Sequence, residues 1–120
     1  MTYDLVVKGG TVSTASDTFE ADVAVKDGRI AALGEGLAGA EEIDARGRHV
    51  LPGGIDSHVH LAEDKGPSIE MADDFTTGTR AAVMGGNTTV LPFSVQVRGH
   101  SLREGLAEAH AKAEGAAYTD

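Results

Sequence analysis

Between Gly54 and Gly115 the sequence passes twice from a strand-like run to a helical pattern, and that order constrains the fold more than any other feature. Gly54-Ile-Asp-Ser-His-Val-His-Leu61 reads as a strand, and a polar loop follows from Ala62 to about Met71. From Asp73 to Met84, Phe75, Thr79, Ala82 and Val83 recur at helical spacing. Asp73 and Asp74 suit the first turn of that helix, where carboxylates meet free N–H groups, and Gly85-Gly86 suits its end. Thr88 to Phe93 is the next strand, with Pro92 near its exit. Ser101 followed by Glu104 forms a capping box that opens a second helix, running to about Glu114 with Leu102, Leu106, Ala109 and Ala113 as its apolar stripe. This order predicts an α/β fold with a parallel sheet. An eight-fold barrel takes about 250 residues, so only about a quarter of one could be present, and the chain is expected to be unfinished.

The first fifty residues have a different character. Tyr3–Lys8 and Thr11–Thr14 read as two strands parted by a Gly9-Gly10 turn. In Glu20–Lys26, Ala21, Val23 and Val25 share one face, and charged or small residues take the other. Asp27-Gly28 is a two-residue hairpin signal, with Arg29–Leu33 as the return strand. Glu42–Ala45 and His49–Leu51 add two short extended pieces. The expectation is a small all-β unit, too short for a closed barrel around a ligand.

Charge and composition remove several functions. Nineteen acidic against ten basic residues give a formal charge of −9, with no basic stripe, so nucleic acid and anionic membrane are not expected partners. Cysteine is absent, so a metal here must be held by nitrogen or oxygen ligands. The opening Met1-Thr-Tyr-Asp-Leu5 has no basic stretch, and no apolar run approaches membrane-spanning length. A soluble cytoplasmic protein is the simplest expectation.

Chemistry concentrates at His58 and His60. Side chains alternate along a strand, so Asp56, His58 and His60 share one face, and two imidazoles there can reach one cation. Ile55, Ser57, Val59 and Leu61 take the other face, where a helix layer would pack. Asp56 lies deeper and could orient an imidazole as an outer acceptor. An isolated His-x-His is common, and two ligands leave a zinc ion incomplete, since catalytic sites take three protein ligands and a water. His49, His100 and His110 read as ordinary surface or packing histidines.

Leu51-Pro-Gly-Gly-Ile-Asp-Ser-His-Val-His60 resembles the metal-binding strand of the amidohydrolase superfamily. Asp73-Asp-Phe-Thr-Thr-Gly-Thr79, Gly85-Gly-Asn-Thr-Thr89, Arg98-Gly-His-Ser-Leu-Arg-Glu104 and His110-Ala-Lys-Ala-Glu-Gly115 resemble its dihydropyrimidinase and hydantoinase branch. Asp4–Gly10 and Asp27–Ile30 fit the N-terminal strands of the same branch, so the resemblance runs along essentially the whole chain.

The resemblance implies the N-terminal part of a composite β-sandwich over residues 1–53, then the first two β/α units of a (β/α)8 TIM barrel over residues 54–120, incomplete alone. It implies hydrolysis of a cyclic amide, a dihydropyrimidine or hydantoin ring opening to an N-carbamoyl amino acid. His58 and His60 correspond to the ligands of the more buried of two divalent ions, expected to be zinc. The loop carrying Glu63 and Asp64 corresponds to one bordering the substrate, although both residues also read, with more weight, as plain solvated charges. The bridging lysine, further histidines and catalytic aspartate of the family have no counterpart here, and Lys112 is not taken for that lysine. The expected partners are a complementary polypeptide carrying the rest of the barrel and a small cyclic amide, in a homo- or hetero-oligomer, with no activity from this chain alone. Two alternatives stay open: another amidohydrolase (allantoinase, dihydroorotase or deacetylase), or a non-catalytic dihydropyrimidinase-related interaction protein.

Overall fold

The computed structural model describes residues 2–120, leaving Met1 outside the described residues. They form two compact units that part between Pro52 and Gly53.

The first unit is a five-stranded sheet of β1 (Tyr3–Ser13), β2 (Thr18–Lys26), β3 (Arg29–Gly34), β4 (Gly39–Asp44) and β5 (His49–Val50). Its order is β3-β2-β1-β4, and β5 pairs with β1 beyond β4. β2 runs antiparallel to β1, whereas β4 and β5 run parallel to it. Asp27 and Gly28 both have positive φ, as a hairpin turn with right-handed strand twist requires, and Lys26 pairs with Arg29 across it. The Asp4 carboxylate clasps this turn, accepting from Lys26 Nζ at 2.6 Å and from the Asp27 N–H at 2.7 Å.

Two expectations for this unit need correction. Gly9-Gly10 does not separate two strands, because β1 continues through it as a bulge where the pairing to β2 shifts between Val7 and Gly10. Gly9 takes φ +62° there, and a Cβ on Gly10 would lie 2.5 Å from a Val50 methyl, so glycine keeps the strand unbroken and the neighbour close. The second face of β2 is not simply polar and open. Ala24 and Asp22 are buried as well as Ala21 and Val23. Asp22 accepts from Lys8 Nζ at 3.0 Å, the Gly9 N–H at 2.7 Å and the Leu37 N–H at 3.0 Å, drawing the loop before β4 over that face. Val12, Ala21 and Val23 form the core of the opposite side, with Val7 and Val50 packed against them.

The second unit contains β6 (Gly54–Val59), α1 (Phe75–Met84), β7 (Asn87–Pro92) and α2 (Leu102–Ala113). β6 and β7 pair in parallel, and α1 lies in the crossover that such a pair requires. Asp74 caps α1 in a reciprocal box with Thr77, and Ser101 caps α2 with Glu104. Phe75 and Thr79 bury the inner face of α1. Thr79 donates to the Phe75 carbonyl and accepts the Tyr118 N–H at 2.9 Å, fixing the segment after α2. That segment meets the free edge of β7, where the Val90 N–H reaches the Asp120 carbonyl at 2.8 Å.

The expected apolar stripe of α2 is only partly used. Gly105, Ala109 and Ala113 are half-buried while Leu102, at 70% exposed, and Leu106 stand in solvent. Small residues allow the close approach of Gly105 to Ser94. Ile55, expected to pack beneath a helix layer, is likewise 67% exposed. No helix among the described residues is long and apolar enough to cross a membrane.

Candidate metal centre

His58 is the next-to-last residue of β6, and His60 follows one residue beyond the strand. Strand alternation sends both imidazoles to the same side, and their Nε2 atoms converge to 3.3 Å. Zinc–nitrogen bonds of about 2.0–2.1 Å at a tetrahedral angle place two ligating nitrogens about 3.3–3.4 Å apart, so this pair is spaced to hold one ion.

Two further side chains hold the rings. The backbone carbonyl of Val59 accepts the Phe93 N–H at 3.0 Å, and this ladder bond sets Phe93 beside the pair. Phe93 stacks on His60 with centroids 4.8 Å apart and planes 5° from parallel, and its ring is 4.6 Å from that of His58. On the other side, Glu63 Oε1 lies 2.5 Å from His60 Nδ1. Reading Glu63 as a solvated charge is thus overturned: its side chain is only 2% exposed. Lys65 forms an ion pair with Oε2. This lysine holds the Glu63 carboxyl below the usual glutamate range, burial opposes that, and the His60 contact adds to it.

The other expected site residues are placed as follows. The Asp56 carboxylate accepts from the His58 backbone N–H at 3.1 Å and so braces the strand rather than an imidazole. Asp64 is exposed and accepts from the Gly66 N–H at 2.8 Å, closing its own turn. His49, His100 and His110 are exposed. Lys112 donates to the Ala62 carbonyl at 3.1 Å and pairs with Glu108. Among the described residues no cluster of three or more His, Cys, Asp or Glu groups could close around an ion, so the pair offers two nitrogens and no complete ligand set. Sequence reasoning missed Phe93, whose signal was available: parallel pairing of Val59 with Pro92 puts Phe93, just past the end of β7, alongside His60.

The Amidohydrolase family model matches residues 49–116, more than half of the chain and the whole of the histidine strand, so the chain belongs to the amidohydrolase family. It is 49% identical over 122 aligned positions to a D-hydantoinase from Streptomyces coelicolor, covering 96% of this chain and 26% of that enzyme. An allantoinase from Escherichia coli is 44% identical over 92 positions, covering 76% of this chain and 20% of that protein. Among solved structures, a dihydropyrimidinase from Brevibacillus agri superposes with a TM-score of 0.88 at 43% identity, over 96% of this chain and 25% of that one. The chain thus spans about a quarter of the length of the relatives it matches.

Proposed function

We propose that this chain contributes the first metal-ligand pair of a cyclic-amide hydrolase, one that opens a hydantoin or dihydropyrimidine ring to an N-carbamoyl amino acid. The observation that carries the reading is the 3.3 Å convergence of His58 Nε2 and His60 Nε2 at the end of a parallel strand. The ring class rests on the D-hydantoinase and dihydropyrimidinase relatives, which match nearly the full chain, whereas the allantoinase matches a shorter stretch. In this reading residues 1–53 are strands of a composite β-sandwich and residues 54–120 are the first two β/α units of a (β/α)8 barrel.

The residues present fit a divalent ion, with zinc, two ions per complete site, as the proposed cofactor. A bound ion would supply a more acidic water and a Lewis acid for the ring carbonyl. The chain's own part is to present two neutral imidazole nitrogens on a rigid strand, with Phe93 fixing their planes. A complementary polypeptide carrying the remaining ligands is the proposed partner. Exposure of Ile55, Leu102 and Leu106 supports it, because separate large apolar side chains on a strand and a helix need a cover. The test is ring opening of dihydrouracil, hydantoin and allantoin by the chain joined to that polypeptide. Turnover of the first two ahead of allantoin is expected; turnover of allantoin alone would move the assignment to another amidohydrolase.

A further inference from the structure

We infer that Glu63 is a positioning residue that sets the tautomer of His60, keeping its proton on Nδ1 and leaving Nε2 bare toward His58; the consequence for a metal rests on the function proposed above. Glu63 belongs to a polar loop, yet its carboxylate is turned inward while Asp64 and Lys65, which follow it, remain exposed. The inward turn is made at Ala62, whose φ of +50° is rare for a residue with a Cβ. Two bonds hold that turn: the Ala62 N–H reaches the Asp73 carbonyl at 3.0 Å, and Lys112 Nζ reaches the Ala62 carbonyl at 3.1 Å. Backbone held in such a conformation beside a functional side chain points to a constraint placed there for that side chain.

The chemistry follows from which atoms can donate. An ionised carboxylate only accepts, so the hydrogen between Oε1 and His60 Nδ1 sits on the imidazole. A neutral ring protonated at Nδ1 offers Nε2 as a lone pair. Lys65 lies against Oε2, which leaves Oε1 as the oxygen that faces His60 Nδ1. Without Glu63 the ring would face water, where a histidine imidazole carries its proton chiefly on Nε2, the atom a metal needs. Histidine ligands that donate their second N–H to a carboxylate are held in orientation and made more basic by it. Phe93 restrains the ring plane and Glu63 its proton, so the two constraints are complementary.

Long-range proton–nitrogen NMR of the metal-free, nitrogen-15-labelled protein, at a pH where His60 is neutral, reads the tautomer directly. A protonated Nδ1 and bare Nε2 are expected, shifting toward protonated Nε2 in Glu63→Ala and less so in Glu63→Gln, which keeps an acceptor. Zinc affinity of the chain assembled with its complementary polypeptide, read by competition with a chromophoric chelator, should fall by about 10–100-fold in Glu63→Ala and less in Glu63→Gln. A wild-type His60 protonated on Nε2 would overturn the inference without any variant having to fold, and so would unchanged zinc affinity in Glu63→Ala. An assembly of the wild-type chain with its complementary polypeptide that binds no zinc, with the Nδ1 proton in place, would leave the tautomer assignment standing and remove the metal reading instead.

Discussion

His58 Nε2 and His60 Nε2 lie 3.3 Å apart, on side chains that leave the backbone only two residues from each other. That separation is long for a hydrogen bond between nitrogens and matches the bite of two ligands on one tetrahedral ion. The strand pleat sets their common direction, while the ring planes are set by Phe93, just past the end of the neighbouring strand.

Replacing Phe93 should therefore loosen the pair without removing a ligand. Phe93→Leu is expected to lower stability by about 0.5–1.5 kcal/mol through loss of the aromatic contacts. It should weaken zinc binding by less than loss of either histidine does. Urea unfolding and a zinc titration of the same preparation read the two effects. Unchanged zinc affinity would show that the stacked ring only fills space.

Thr79 joins α1 to the segment that follows α2. The hydroxyl is wholly buried and accepts the Tyr118 N–H at 2.9 Å while donating to the Phe75 carbonyl. Thr79→Val keeps the shape and strips the acceptor, leaving the Tyr118 amide without its partner. A loss of about 0.5–1.5 kcal/mol is expected for this part-buried bond. Faster hydrogen exchange at Tyr118, with exchange in β1 and β2 unchanged, would locate the effect.

Stability in acid should depend on Asp22. The hydrogen bond from Lys8 holds its carboxyl below the ordinary aspartate value of 3.8, the Gly9 and Leu37 N–H groups add to this, and burial opposes it. A carboxyl with a depressed folded pKa contributes stability that is present above its unfolded value and lost as pH falls through the folded one. Unfolding free energy should thus drop as pH falls below 3.8, toward the lower folded value. Asp22→Asn should be less stable at neutral pH and show a shallower decline between about pH 5 and pH 2. An acid limb of undiminished slope in that variant would assign the decline to other carboxylates.

Much of this architecture could be read from the sequence because its signals are local. The Asp27-Gly28 hairpin, the Ser101–Glu104 box and the alternation that aligns His58 with His60 each depend on residues a few positions apart. Gly9-Gly10 misled because two glycines serve a turn and a bulge equally well, and pairing with β2 decides between them. Glu63 was misjudged because burial of a loop carboxylate depends on the backbone reversal at Ala62 and on Lys65, which charge patterning does not reveal. Leu102 and Leu106 have the spacing of a buried stripe, but spacing cannot say that Gly105 packs beside Ala109 and Ala113 in their place.

The central claim is that His58 and His60 together hold a metal in a cyclic-amide hydrolase, and metal content tests it most directly. Elemental analysis of the chain assembled with its complementary polypeptide should find stoichiometric zinc or another divalent ion. Replacing both histidines with alanine should remove at least one ion per site, together with ring opening of hydantoin. An assembly that retains its full metal content and activity without either imidazole would contradict the account.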